Sequence, residues 1–243
     1  ADGADTEIGT STQTSYSDTG LTADTTHCYK VSANGNGAES IPTDIVCAKT
    51  ESGLVAYYPF NGNANDESGN GNNGVVNGAT LTADRFGNAD SAYRFKGNGY
   101  INTNMIPSNI FSLSLWYYAS SVQLENAGIA STYSTGRYYG FYYPTGGSSW
   151  EGIYKDANIL TTITPTAETW IHLIIVSDGS YISVYKDGVR VLNISGTTSH
   201  SDTLIFGSSR FNGKYFSGII DDVRIYNRAL ADAEILTLYN EGK

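Results

Sequence analysis

The chain is poor in charge, and the charge it carries is mostly of one sign. Only 16% of its 243 residues are Asp, Glu, Lys or Arg, and 24 acidic side chains against 14 basic ones leave a formal charge of −10. That balance repels nucleic acid and anionic membrane surfaces, so neither is an expected partner. Long apolar runs are also missing. The longest, around positions 170–176, is far short of the ~20 residues a membrane helix needs, and no charged-then-apolar signal segment opens the sequence. The expectation is a mature or excised soluble piece with no membrane insertion. The three histidines, His27, His172 and His200, are dispersed and lack the paired-His or Cys spacing of a zinc centre. His172 sits in a run of large apolar residues and reads as a core or half-core histidine. Cysteine is limited to Cys28 and Cys47, which in a short, secreted-looking region are expected to form a disulfide rather than a metal pair.

What is abundant points one way. Hydrophobic residues make up 40% of the chain, enough for a sizeable core. Nineteen Tyr and 27 Gly, with many Thr, Ser and Asn, imply short strands joined by tight turns and suit a secreted or cell-surface protein. Strands are expected at 14–18, 27–33 and 43–49, followed by the polar connector AKTESG at 48–53, which divides an N-terminal segment (1–50) from a larger domain (51–243). Alternation places His27, Tyr29 and Val31 on one strand face and Cys28 on the other, making the Cys28–Cys47 bridge a cross-strand staple. Further strands are expected at 92–95, 111–118, 140–143 and 152–154. Asp178-Gly179 and Asp187-Gly188 signal two tight hairpins. The pattern predicts an all-β, two-sheet antiparallel jelly-roll sandwich with a short C-terminal helix.

Two family resemblances refine this. SYSDTGLTADTTHCYKVSANGNGAES resembles the C-terminal half of a fibronectin type III domain, with Leu21, Ala23 and His27 at the family's leucine, proline and corner-tyrosine positions. The proline and tyrosine are therefore replaced, and His27 reads as a structural stand-in. Only half of such a sandwich is present, so this partial β segment should expose an apolar face unless it leans on a neighbour. LVAYYPFNGNANDESGNGNNG, FSLSLWYYAS, WIHLIIVSDGSYISVYKDGVRV and FSGIIDDVRIYNRALADAEI, in that order, resemble the concanavalin A-like, laminin-G-like jelly-roll domain of bacterial secreted proteins. The resemblance implies the fold, with Trp116 and Trp170 at structural motif positions. It leaves function open, because this fold serves carbohydrate binding, adhesion and spacing alike.

Three chemistries are open to these residues. Some relatives of this fold cleave glycans with carboxylates spaced Glu-x-Asp-x-x-Glu; no such spacing occurs, and the nearest aromatic-flanked pair, Glu151 and Asp156, reads as ordinary solvated charge. No catalytic residues are expected. Calcium is expected as a structural cofactor. It wants six to eight oxygens, and the loop at 66–74 offers Asp66, Asn72 and Asn73, with Asp221 and Asp222 brought near if the first and last strands pair. Strict alternation puts Ile219, Asp221, Val223 and Ile225 on one face and Ile220, Asp222, Arg224 and Tyr226 on the other. The alternative is an Asn/Gly-rich turn that bonds to its own backbone.

The third chemistry is sugar recognition. Aromatic rings stack on sugar C–H faces with polar groups at the rim. If Phe141 and Ile153 point to the core, Tyr138, Tyr142, Trp150 and Tyr154 share one open surface, with Arg137 and Lys155 beside them; alternatively these rings pack on one another. Asn193-Ile194-Ser195 fits a glycosylation acceptor. The expected function is a non-catalytic, lectin-like module binding polysaccharide or another glycan within a larger parent protein with further domains. The alternatives are an adhesion or structural module and, third, a polysaccharide-cleaving enzyme. The closing helix is expected to cover the sandwich with Ile235, Leu236, Leu238 and Tyr239, from a start weakly capped by Ala231.

Overall fold

The structure, a computed structural model, describes residues 6–13, 16, 18, 21, 25–35, 38–49, 53–121, 127–134, 137–143, 151–152, 166–209 and 214–243, with the side chains at 49, 133–134, 137–143, 151–152 and 209 outside the description. Its N-terminal part contains two hairpins. Strand β1 (Thr26–Tyr29) pairs with β4 (Val46–Lys49), and β2 (Asn34–Gly35) with β3 (Ala38–Glu39). Cys28 lies opposite Cys47 and the two are disulfide-bonded, as alternation and compartment predicted. His27 and Tyr29 are half-buried while Thr26 and Cys28 are exposed. Val31 does not join that face: the strand ends at Tyr29, and the Val31 N–H turns to the Thr43 hydroxyl. Ile41, Ile45 and Val46 are exposed, the open apolar surface expected of this segment.

From Leu54 onward the chain builds two sheets. In the first, the path runs β16 (Val189–Ser195), β15 (Tyr181–Lys186), β14 (Trp170–Ser177), β10 (Phe111–Ala119), β20 (Ser217–Tyr226), β8 (Ala92–Lys96) and β7 (Thr80–Thr82), with β5 (Leu54–Tyr58) also on β20. In the second it runs β13 (Glu151–Gly152), β12 (Arg137–Tyr143), β11 (Ala127–Ser134), β17 (Ile205–Phe206), β9 (Tyr100–Asn102) and β6 (Val75–Asn77), with β18 (Ser208–Ser209) and β19 (Lys214–Tyr215) attached at β11. The fold is the predicted all-β sandwich. First and last long strands are neighbours, β5 pairing antiparallel with β20.

Between the sheets lies one core that includes Tyr58, Phe60, Phe95, Leu115, Phe206 and Val223. The Asp187-Gly188 turn is the expected two-residue hairpin: both residues have positive φ, 51° and 77°, the twist that such turns require. The other hairpin is one residue longer than predicted. Its turn spans 178–180, because the Asp178 carboxylate accepts the N–H groups of Ser180 and Tyr181 and delays the strand to Tyr181.

The outer face of the first sheet is covered by helix α1 (Asp232–Glu241). Ile235 and Leu238 pack with Ile174, Val176, Tyr185 and Tyr226 in a second apolar cluster. Leu236, expected to face inward, is 49% exposed. The helix start is better held than its sequence suggested. Glu234, three residues in, accepts the Ala231 N–H at 2.8 Å and pairs with both terminal nitrogens of Arg228 at 2.5 and 2.8 Å, so half of a capping box forms without a capping hydroxyl. Those contacts, the Arg228 hydrogen bond first, hold the Glu234 carboxyl below its ordinary range.

Candidate functional site

Several groups of residues could form a site. The loop at 66–74 is organised around Asp66, which is buried. Its Oδ1 accepts the N–H groups of Tyr57 and Ser68, and its Oδ2 that of Asn72, each at 2.9 Å. The Asn73 Oδ1 accepts the Asp66 N–H at 2.9 Å, and the Asn72 amide donates to the Val55 carbonyl at 2.7 Å. Asp66 and Asn72 thus tie the loop to β5, and Asn73 ties the loop to itself. That is the self-bonded turn.

Asp221 and Asp222 belong to a different network, and the strand that bears them departs from simple alternation. Ser114 is in register with Arg224 and Trp116 with Asp221, so Asp222 and Val223 together oppose Leu115. This is a β-bulge, with Asp222 at φ 48°. It shifts the phase of the strand. Ile220, Val223 and Ile225 all enter the main core, and both aspartates meet the same partner on the other side. The strict alternation read from the sequence, with Asp221 on the same face as Val223 and Ile225, is corrected by that one extra residue.

The partner is Arg85, which the sequence did not single out. Its Nη1 donates to the Asp221 carboxylate, its Nη2 to Asp222 at 2.8 Å, and its Nε to the Gly242 carbonyl at 2.6 Å. The guanidinium lies 4.5 Å from the Phe86 ring centroid and 4.9 Å from that of Trp116. Arg224 adds a second cation, 3.4 Å from Asp222 and 4.7 Å over the Tyr57 ring. Burial pushes the Asp221 carboxyl up to about 7, opposed by the Arg85 charge and reinforced by that of Asp222. Burial, with Asp222 next, also pushes the Tyr57 phenol up to about 12. The signal available in the sequence was indirect: two aspartates flanked by core residues must be neutralised, and the chain has few cations to do it.

These two networks do not supply a calcium site. Among the described residues no three His, Cys, Asp or Glu side chains converge on a common point. Both carboxylate oxygens of Asp66 and the Asn73 Oδ1 accept N–H donors, and a guanidinium already faces the paired aspartates. The donor set does not fit an ion tying Asp66, Asn72 and Asn73 to Asp221 and Asp222.

The third group is Ser114 and His172, whose Oγ and Nε2 are 2.8 Å apart. His172 is 1% exposed, covered by Trp116 at 4.8 Å and Tyr239 at 6.0 Å. Burial first, then the charges of Arg224 and Arg85, lower its pKa to about 3. A neutral imidazole sealed under two rings serves packing. Trp116 is likewise buried and Trp170 tilts against Tyr118 at 5.8 Å, the structural roles expected of both. A cleft beside the 66–74 loop, of about 240 Å³, is lined by Val55, Met105, Ile106, Pro107 and Phe111. Its two rings, Phe111 and Tyr226, are 4% and 1% exposed and offer no face to a sugar.

The aromatic strands remain. Strand β12 pairs with β11 on one side and with β13 on the other, and Tyr142 lies directly opposite Glu151. Phe141 is in register with Ala130, which is fully buried in the core and itself opposite Phe206. Tyr138 and Tyr142 occupy strand positions out of phase with Phe141. The side chains of Arg137, Tyr138 and Tyr142, and the residues Trp150, Tyr154 and Lys155 altogether, lie outside the description.

A family model for the "Concanavalin A-like lectin/glucanases superfamily" (Laminin_G_3) matches residues 95–236, more than half of the chain. The chain belongs to this superfamily. No curated protein matches it. Among solved structures, domain 4 of AbnA, an extracellular arabinanase from Geobacillus stearothermophilus in complex with arabinotriose, is 21% identical with a TM-score of 0.62, the match covering 76% of this chain and 98% of that domain. The binding domain of Paraclostridial Mosquitocidal Protein 1 is 20% identical with a TM-score of 0.60, covering 78% of this chain and 52% of its own length. A Trypanosoma rangeli sialidase mutant displaying trans-sialidase activity is 18% identical with a TM-score of 0.61, covering 77% of this chain and 33% of the enzyme. At these identities the likeness is one of fold.

Proposed function

We propose that this domain is a non-catalytic carbohydrate-binding module, carried with a fibronectin-like N-terminal spacer by a larger secreted or surface protein. It would bind polysaccharide on the aromatic strands at the edge of the second sheet. The observation that carries the reading is the register of β12 and β13: the RYYGFYY strand is hydrogen-bonded to the strand that follows Trp150, with Tyr142 opposite Glu151. Carried outward from Phe141, alternation gives Tyr138 and Tyr142 to the solvent face, where their rings would stack on sugar C–H faces and their hydroxyls would line the rim. Elimination supports this location. The first sheet's outer face is used by α1, Trp116 and Arg85, and the buried Ser114–His172 pair is sealed from substrate.

The similarity to an arabinanase domain solved with arabinotriose makes arabinan a first ligand to try. In affinity gels containing arabinan, xylan, β-glucans or mannans, wild type should be retarded by at least one polymer. Trp150→Ala and Tyr142→Ala should each lose most of that retardation, since each removes the ring surface on which a sugar face would be buried. Retardation unchanged in both variants, or absent with every polymer, overturns the proposal in favour of an adhesion or spacer role. Steady release of reducing ends from any polymer would overturn the non-catalytic part.

A further inference from the structure

Buried paired carboxylates at a strand bulge demand positive charge, and oxygen-rich sites in a sandwich rim invite calcium as the answer. Here the positive charge is covalently part of the chain. Arg85 places one terminal nitrogen on each carboxylate of Asp221 and Asp222, and its third donor on the last helical turn's exit at Gly242. Its side chain is 9% exposed, against 3% and 10% for the two aspartates. With Arg224 at 3.4 Å from Asp222, two guanidiniums balance two carboxylates.

We infer that Arg85 is the built-in cation of this centre, so that β20, the 84–87 turn and the exit of α1 are locked together without a metal ion. The geometry favours a guanidinium over an ion on three counts. Its planar fork reaches two separate carboxylates with directed N–H donors. It lies over both the Phe86 and Trp116 rings, where a hydrated ion gains no comparable packing. The Nε donor satisfies a backbone carbonyl, a bond that no cation–carboxylate cluster needs but that fixes the C-terminal residues onto the sheet. Gly242 allows this approach, because a Cβ there would lie 2.5 Å from the Trp116 indole nitrogen. The inference is independent of glycan binding.

The test is thermal unfolding of the whole chain in millimolar Ca²⁺ and in excess EDTA, for wild type, Arg85→Met, Arg85→Lys and Asp222→Asn. Wild type should melt at the same temperature in both buffers. Arg85→Met strips two buried carboxylates of their partner and should lower Tm by about 10 °C in both buffers. Arg85→Lys keeps the charge without the fork, should fall between the two, and reads the same question if the methionine variant fails to fold. Arg85→Lys or Arg85→Met melting like wild type overturns the inference. So does a wild-type Tm that falls in EDTA, recovers with Ca²⁺, and loses that response in Asp222→Asn. A calcium response that persists in Asp222→Asn arises elsewhere and leaves this centre metal-free, as inferred.

Discussion

The indole of Trp116 and the phenol of Tyr239 stack with centroids 5.9 Å apart and planes 19° from parallel. Trp116 belongs to the middle of the first sheet and Tyr239 to the last turn of α1, so this contact is where the chain's end is fixed to its centre. His172 lies parallel to both rings, 4.8 Å from Trp116 and 6.0 Å from Tyr239, and the Lys243 ammonium sits 4.6 Å from the Tyr239 ring.

Removing the ring should therefore loosen the whole closure. Tyr239→Ala is expected to cost about 2 kcal/mol, a half-buried aromatic with its stacking partners, and to lower Tm by ~4–8 °C. The near-UV circular dichroism of Trp116 should weaken at the same time. Tyr239→Phe, which keeps the ring, should retain most of the wild-type Tm; an alanine variant as stable as wild type would show that the stack contributes nothing.

Asp221 gives the closure a pH dependence with a defined sign. Its folded pKa is raised to about 7 by burial, so it binds a proton in the folded state that the unfolded chain has released. Its contribution is complete below the ordinary value near 3.8 and is lost as pH rises through about 7. His172 and His200, lowered to about 3 and about 4 chiefly by burial, act oppositely: they stay neutral in the fold and destabilise it as pH falls below about 6.5. The aspartate's part is isolated by difference. The Tm of Asp221→Asn minus that of wild type should become more positive from pH about 4 to about 8. A difference flat across that window would mean that Asp221 titrates like a solvated carboxyl.

The sandwich, its two Asp-Gly hairpin sites and the disulfide were legible because they rest on strand-like runs, turn chemistry and compartment, whereas the adjacency of β5 and β20 followed only from the jelly-roll architecture, whose first and last strands are commonly neighbours. The phase of β20 was not. A bulge adds one residue without changing the sequence pattern, and GIIDDVRIY reads equally well with either aspartate inward. Arg85 was hidden for a related reason: it lies 136 residues before Asp221, and nothing in DRFGN marks it as a partner. The aromatic strands were legible as a pair, and their register bears that out, while their ring orientation rests on alternation alone.

Asp66 is a backbone anchor, and its removal should be felt as such. In Asp66→Ala the N–H groups of Tyr57, Ser68 and Asn72 lose their acceptor together, a loss of about 1–3 kcal/mol measured by urea unfolding. Asp66→Asn keeps one acceptor oxygen and should fall between the alanine variant and wild type. Amide exchange should accelerate at Tyr57, Ser68 and Asn72 in particular. If all three remain as protected as in wild type, the loop is held by something other than this carboxylate.

The disulfide is expected to act locally. Cys28 and Cys47 face each other across β1 and β4, 19 residues apart in sequence, and closing a loop of that size contributes ~3 kcal/mol by restricting the open chain. Among the described residues, neither buried core cluster contains one before Ala56, so that restriction is expected to stabilise the hairpin and leave the sandwich to its own packing. Hydrogen exchange with and without reductant separates the two. Reduction should speed exchange at Cys28, Tyr29 and Val46 while Leu115, Ile174 and Ile220 keep their protection, and the main thermal transition should stay where it was. A fall in that transition on reduction would mean that the N-terminal hairpin is energetically part of the sandwich, with the exposed Ile41, Ile45 and Val46 as the first residues to substitute in locating the contact.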